Sequence, residues 1–88
     1  MKKMYPVIFT QTNDCVLVEV PDLEILSEDS DLDDAIAMAR DAISITIKSS
    51  QENKESIPNP SNIKDINVAK GTFSSDGSSL VLLVDLDI

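Results

Sequence analysis

Asp31-Leu32-Asp33-Asp34-Ala35-Ile36-Ala37-Met38-Ala39-Arg40-Asp41-Ala42-Ile43-Ser44-Ile45-Thr46-Ile47-Lys48-Ser49-Ser50 is the stretch that decides the fold. Its apolar residues recur at Leu32, Ala35, Ile36, Ala39, Ile43, Thr46 and Ile47, in steps of three and four, which predicts a helix over Leu32–Ser50. Asp31 is a natural N-cap, with Asp34 three residues on as a weak capping-box partner. Asp33 and Asp34 in the first turn and Lys48 in the last suit the helix dipole. Met38, Ala42 and Ile45 widen the apolar face, so the helix either sits deep on a sheet or offers part of itself to a partner.

The residues before it read as strands. In Tyr5-Pro6-Val7-Ile8-Phe9-Thr10 the two-residue period puts Tyr5, Val7 and Phe9 on one face and Ile8 on the other, with Pro6 near the strand start, where proline is tolerated. Gln11–Asp14 is polar and holds the turn pair Asn13-Asp14. Cys15–Val20 is a β-branched run, so the two segments predict an antiparallel hairpin. Pro21-Asp22 stops the second strand, Leu23–Leu26 adds a short third, and Ser27–Asp31 is a polar, acidic lead into the helix.

Gln51–Glu55 ends the helix. The prolines of Ile57-Pro58-Asn59-Pro60-Ser61 force an extended path. Ile63–Lys70 is mixed, with a candidate strand around Ile66–Val68, and Asp76-Gly77 marks a turn or flexible loop. The last strand, Leu80–Ile88, carries Leu80, Leu82, Val84, Leu86 and Ile88 on one face and Asp85 and Asp87 on the other. It reads as paired on both sides early and more exposed late. The fold class is therefore α+β, in the order β-β-β-α-β. A right-handed crossover helix covers one sheet face, and the last strand lies beside the first. One helix covers only one face. Ile8, Val81 and Leu83 are candidates for the other, which predicts an oligomer or a tight partner.

The 88 residues make one domain, 1–88. A chain of this size buries roughly 60–65% of its unfolded surface, enough for a modest core without metals or disulfides. The formal charge of −9 and pI near 4.1 argue against direct binding of nucleic acid, as does an aromatic share of 3%. The absence of histidine removes Ser-His-Asp and Cys-His catalysis and histidine-ligated zinc. Cys15, the single cysteine, reads as a buried structural thiol, and the composition fits a reducing cytoplasm. No signal peptide or membrane anchor is expected.

Several constellations resemble sites of chemistry and fall short of them. Asp29-Ser30-Asp31-Leu32-Asp33 imitates an EF-hand start but has Asp34 where glycine must turn the loop and Arg40 where a bidentate Glu is needed. Asp29–Leu32 is loosely similar to a carrier-protein Asp-Ser-Leu site, but Asp31 interrupts it, and such proteins are all helical. Glu19, Asp85 and Asp87 could bind magnesium in a residual nuclease, but they lack an apolar shell to hold them together. Asp85 and Asp87 read more simply as solvent-facing charges that block edge pairing. Gly71 and Gly77 form no phosphate loop. No catalytic residue, metal ligand or cofactor site is expected. The charge distribution remains: Asp14–Asp41 holds ten acids against one base, Arg40. An acidic loop beside an apolar sheet edge suits a small basic partner, such as an RNA-binding protein.

The ordered motifs resemble the N-terminal domain of HicB-family antitoxins, the neutralising half of HicA–HicB toxin–antitoxin pairs. Tyr5-Pro6-Val7-Ile8-Phe9 resembles the family's opening strand and Leu17-Val18-Glu19-Val20-Pro21-Asp22-Leu23 its second strand and turn. Asp31–Ile43, with Ala35 and Ala39, resembles its helix. Ile57-Pro58-Asn59-Pro60-Ser61 resembles its "IPxPS" segment, and Val84-Asp85-Leu86-Asp87 its closing strand. Glu24–Ser30 lacks the glycines that family members often carry there, and Ser74–Ser79 looks like extra loop. The chain ends where many relatives continue into a DNA-binding segment, so no C-terminal DNA-binding domain, and no repression by this chain alone, is expected.

The resemblance implies a partial ribonuclease-H-like fold and a non-catalytic protein that forms a homodimer or a higher oligomer. It also implies a partner, a small basic HicA-like toxin that cleaves mRNA and whose active site the antitoxin covers. Asp22, Glu24, Glu28 and Asp29, near the exit of the second strand, are the candidate toxin-binding residues. The alternatives are the residual metal-dependent nuclease and an orphan oligomerising domain.

Overall fold

The protein, seen in a computed structural model that describes residues 4–85, builds one antiparallel sheet and one long helix. The strands are β1 (Met4–Gln11), β2 (Val16–Val20), β3 (Ile25–Asp29) and β4 (Ser78–Asp85), and the helix α1 is Leu32–Glu52. The sheet order is β3-β2-β1-β4, so the α+β expectation holds and the last strand does lie beside the first. β4 pairs along all of β1, from Met4 opposite Asp85 to Gln11 opposite Ser78. It therefore runs opposite to β3, and the right-handed rule, which concerns parallel strands, does not bear on this connection.

The strand alternation sorts the sheet as expected. Tyr5, Val7 and Phe9 of β1, Val16, Val18 and Val20 of β2 and Val84 of β4 pack against Ala35, Ala39, Ile43 and Ile47 of α1. Alanines at 35 and 39, fully buried, let the helix approach the sheet closely. Pro6 is tolerated because the ladder between β1 and β2 starts only at Ile8. Asp31 caps α1, its carboxylate accepting from the Asp34 amide at 2.9 Å. The helix ends two residues beyond Ser50. Lys54 adopts a left-handed φ of 57°, and the amides of Lys54 and Glu55 donate to the carbonyls of Gln51 and Ser50, a Schellman closure. Lys48 thus falls outside the last turn. Ile45 does not widen the packed face and is 59% exposed.

Other segments depart from the sequence reading. Pro21–Leu23 is a 3₁₀ turn, and Glu24 is left-handed at φ 55°. The third strand therefore starts at Ile25 and takes in Ser27–Asp29, which read as loop. The candidate strand at Ile66–Val68 is absent. Ile63–Asp65 and Val68–Lys70 are 3₁₀ turns instead, each opened by an asparagine (Asn62, Asn67) whose side chain accepts from the amide two residues on. Cys15 sits half-buried in the hairpin turn rather than in the core, where Thr12 Oγ1 accepts from the amides of Asp14 and Cys15. β4 pairs with β1 alone among the described residues, not on both sides. Leu86, Asp87 and Ile88 lie outside the described residues.

Candidate functional site

The sheet face opposite α1 is covered in part by the chain itself, and this positions everything on it. After α1 the chain is pinned by two carboxylates. The Asp22 carboxylate accepts from the Ser61 amide (2.8 Å) and hydroxyl (2.5 Å), and the Glu19 carboxylate accepts from the Thr72 amide (2.8 Å) and hydroxyl (2.7 Å). Near the first clip, the buried Tyr5 hydroxyl donates to the Pro58 carbonyl at 2.7 Å, and Ile57 packs on the core. Burial, and secondarily the Asp22 charge, raise the Tyr5 phenol above its usual 10.0. Tyr5, Asp22, Pro58 and Ser61, scattered across three motifs, thus form one junction. Between the two clips, Ile66, Asn67, Lys70 and Gly71 close over Ile8 and Pro21 around a cavity of about 300 Å³. Ile8, expected to lie on an open face, is only 4% exposed for this reason.

The β3 border of that face stays uncovered. Along β3, Leu26 is 56% exposed and stands between two shallow grooves. One, of about 420 Å³, is lined by Leu17, Leu26, Ser27, Glu28 and Phe73. The other, of about 290 Å³, is lined by Glu19, Pro21, Glu24, Leu26 and Thr72. Leu26 is thus an exposed apolar side chain flanked by the exposed carboxylates of Glu24 and Glu28. Glu28 also accepts a weak bond from the Cys15 thiol at 3.5 Å.

The four acids expected to act together are divided. Glu24 and Glu28 share the border with Leu26. Asp22 is held by Ser61. Asp29 alternates to the other side of β3 and accepts from the Ser30 amide at 2.7 Å. Sequence reasoning does not single out Leu26 or Phe73 as site residues. The signal for Leu26 was present, an apolar residue inside an acidic strand, but only the shifted strand start shows which way it points.

The candidate magnesium ligands do not converge. Glu19 is clipped by Thr72, and Asp85 lies roughly 16 Å away by strand geometry. Rather than facing solvent as a bare edge charge, Asp85 is bonded by Arg40 at 3.0 Å. Asp87 is outside the described residues. Among the described residues, no three acidic or sulfur ligands gather as a metal set, and no helix is long and apolar enough to cross a membrane.

Fold and border together define an acidic domain of one sheet and one helix. The chain belongs to the HicB-like antitoxin family: residues 5–88 match the family described as HicB_like antitoxin of bacterial toxin-antitoxin system. A solved toxin–antitoxin complex from Streptococcus pneumoniae contains a chain of the same fold, with a TM-score of 0.84 at 21% identity over 99% of this chain and 70% of that one. None of the curated proteins matches.

Proposed function

We propose that this chain is the antitoxin of a pair, and that it binds and occludes a small basic HicA-like toxin that cleaves mRNA. The observation that carries the reading is the β3 border, where the exposed Leu26 lies between Glu24 and Glu28 on a protein of net charge −9. Family membership supplies the class of partner. The carboxylates would stand where the toxin's RNA phosphates otherwise bind, and opposed fields would speed encounter. Leu26 would supply the apolar anchor at the centre of the contact. In this reading the chain performs no chemistry of its own and acts in the cytoplasm beside its toxin.

The test is a pull-down from the native host, with mass spectrometry of small basic proteins, followed by titration calorimetry with the protein recovered. The double substitution Glu24→Gln/Glu28→Gln should weaken binding about tenfold at low salt and flatten its salt dependence. Leu26→Ser should weaken binding at every salt concentration. Unchanged affinity in both variants would move the interface elsewhere on the domain.

A further inference from the structure

Resting on the toxin-binding reading of the β3 border, we infer that this border is completed by Thr72 and Phe73 from the segment after α1. Glu19 is then a positioning residue, whose grip on Thr72 sets how tightly the border holds its basic partner.

On the open face, β2 and β3 bring four side chains together in two facing pairs, Leu17 with Glu28 and Glu19 with Leu26. The two grooves beside Leu26 need a further wall, and the segment after α1 supplies it. Phe73 lines the larger groove with Leu17, Ser27 and Glu28, and Thr72 lines the smaller with Pro21 and Glu24. Neither residue belongs to a strand or a helix, and the core around α1 takes no described residue between Ile57 and Val84. What seats these walls is local. Both carboxylate oxygens of Glu19 are engaged by Thr72, one by its amide at 2.8 Å and one by its hydroxyl at 2.7 Å. Gly71 lets the backbone lie close on the sheet, since a Cβ there would stand 3.3 Å from both Ile8 Cδ1 and Glu19 Oε1.

A segment held in this way opens locally without unfolding the domain. Its two ends stay fixed, at Ser61 by Asp22 and at Ser78 by the pairing of β4 with β1. Opening withdraws Thr72 and Phe73 and leaves Leu26 without its groove walls. The partner then binds only the fraction of molecules in which the segment is seated, and its affinity falls by that fraction. By linkage, a bound partner keeps the segment seated.

The test begins on the free chain. Lys70 is exposed between the two clips, and Lys48 is exposed on α1. Trypsin should cleave after Lys70 about tenfold faster in Glu19→Ala than in the wild type, as expected for the loss of two charge-assisted bonds to a half-buried carboxylate. Cleavage after Lys48 and the circular-dichroism spectrum should not change. Thr72→Val should speed cleavage after Lys70 about threefold, and Thr72→Ser, which restores the hydroxyl, should rescue it. Calorimetry with the small basic protein recovered by pull-down should follow the same order. Affinity should fall about fivefold in Glu19→Ala and about twofold in Thr72→Val, with rescue by Thr72→Ser. Thr72→Val removes no charge, so its loss should be equal at every salt concentration, which separates seating from a direct charge contact. Unaltered cleavage in Glu19→Ala would overturn the proposal on the free chain alone. Faster cleavage with unchanged affinity, while Leu26→Ser still weakens binding, would overturn it and leave the toxin site in place. Unchanged affinity in Leu26→Ser as well would remove both.

Discussion

The Asp22–Ser61 clip can be taken apart by a double-mutant cycle. Both Asp22 carboxylate oxygens are used, one by the Ser61 amide and one by its hydroxyl. Charge-assisted bonds of this kind contribute about 1.5–3 kcal/mol when well shielded. Asp22 is half-exposed, so the lower end applies. Asp22→Ala removes both bonds and should cost about 2 kcal/mol, and Ser61→Ala removes only the hydroxyl bond and should cost about 1 kcal/mol. In the double variant the serine has no acceptor left to lose, so the total should remain about 2 kcal/mol, a coupling of about 1 kcal/mol. For a domain of this size that coupling corresponds to roughly 4–8 °C in the melting temperature. Urea melts of the four proteins give it directly. Strict additivity of the two single costs would show that Asp22 and Ser61 do not act on each other and would remove the clip from the description.

Tyr5→Phe should cost about 1 kcal/mol at neutral pH through loss of the bond to Pro58. Because the folded phenol titrates above 10.0, its share of stability is complete below about pH 10 and is lost as pH rises through the raised folded value. Melts between about pH 8 and 11 should fall less steeply in the variant than in the wild type. Lys54→Gly relieves a left-handed side chain in the Schellman closure and should raise stability by about 0.5–1 kcal/mol, visible as a higher melting temperature. Gly77→Ala should be strongly destabilising, by about 2 kcal/mol or more in a urea melt, because the added Cβ would lie 2.0 Å from the Gln11 carbonyl oxygen.

Where a regular period meets a single core, the chain was legible. The three- and four-residue stripe of α1 and the alternation of β1 each name their buried face, and Phe9 and Ile43 lie inside as their positions imply, whereas in β4 Leu80 and Leu82 are exposed and burial comes late, at Val84. Legibility stops where one residue shifts the phase. A left-handed Glu24 is rare for a side chain, so the sequence pattern starts the third strand too early and hides that Leu26 points outward. Between Lys54 and Gly77 there is no period to read. That segment is ordered by bonds to Asp22 and Glu19, partners far away in sequence, and nothing local signals them. The acidic bias does not show how the carboxylates divide, since those that clip the backbone and those that face outward have the same composition.

The order of the strands has a consequence for synthesis. Every residue of the β3 border except Phe73 and Thr72 belongs to the contiguous run ending at Glu52, and the strand that closes the sheet pairs with the opposite end of the chain. Closing so long a loop is the slow step of assembly. On the ribosome, the hairpin, third strand and helix emerge and meet first. β1 must wait with one flank bare until β4 arrives, so maturation of the domain is timed by the strand most distant from its partner in sequence.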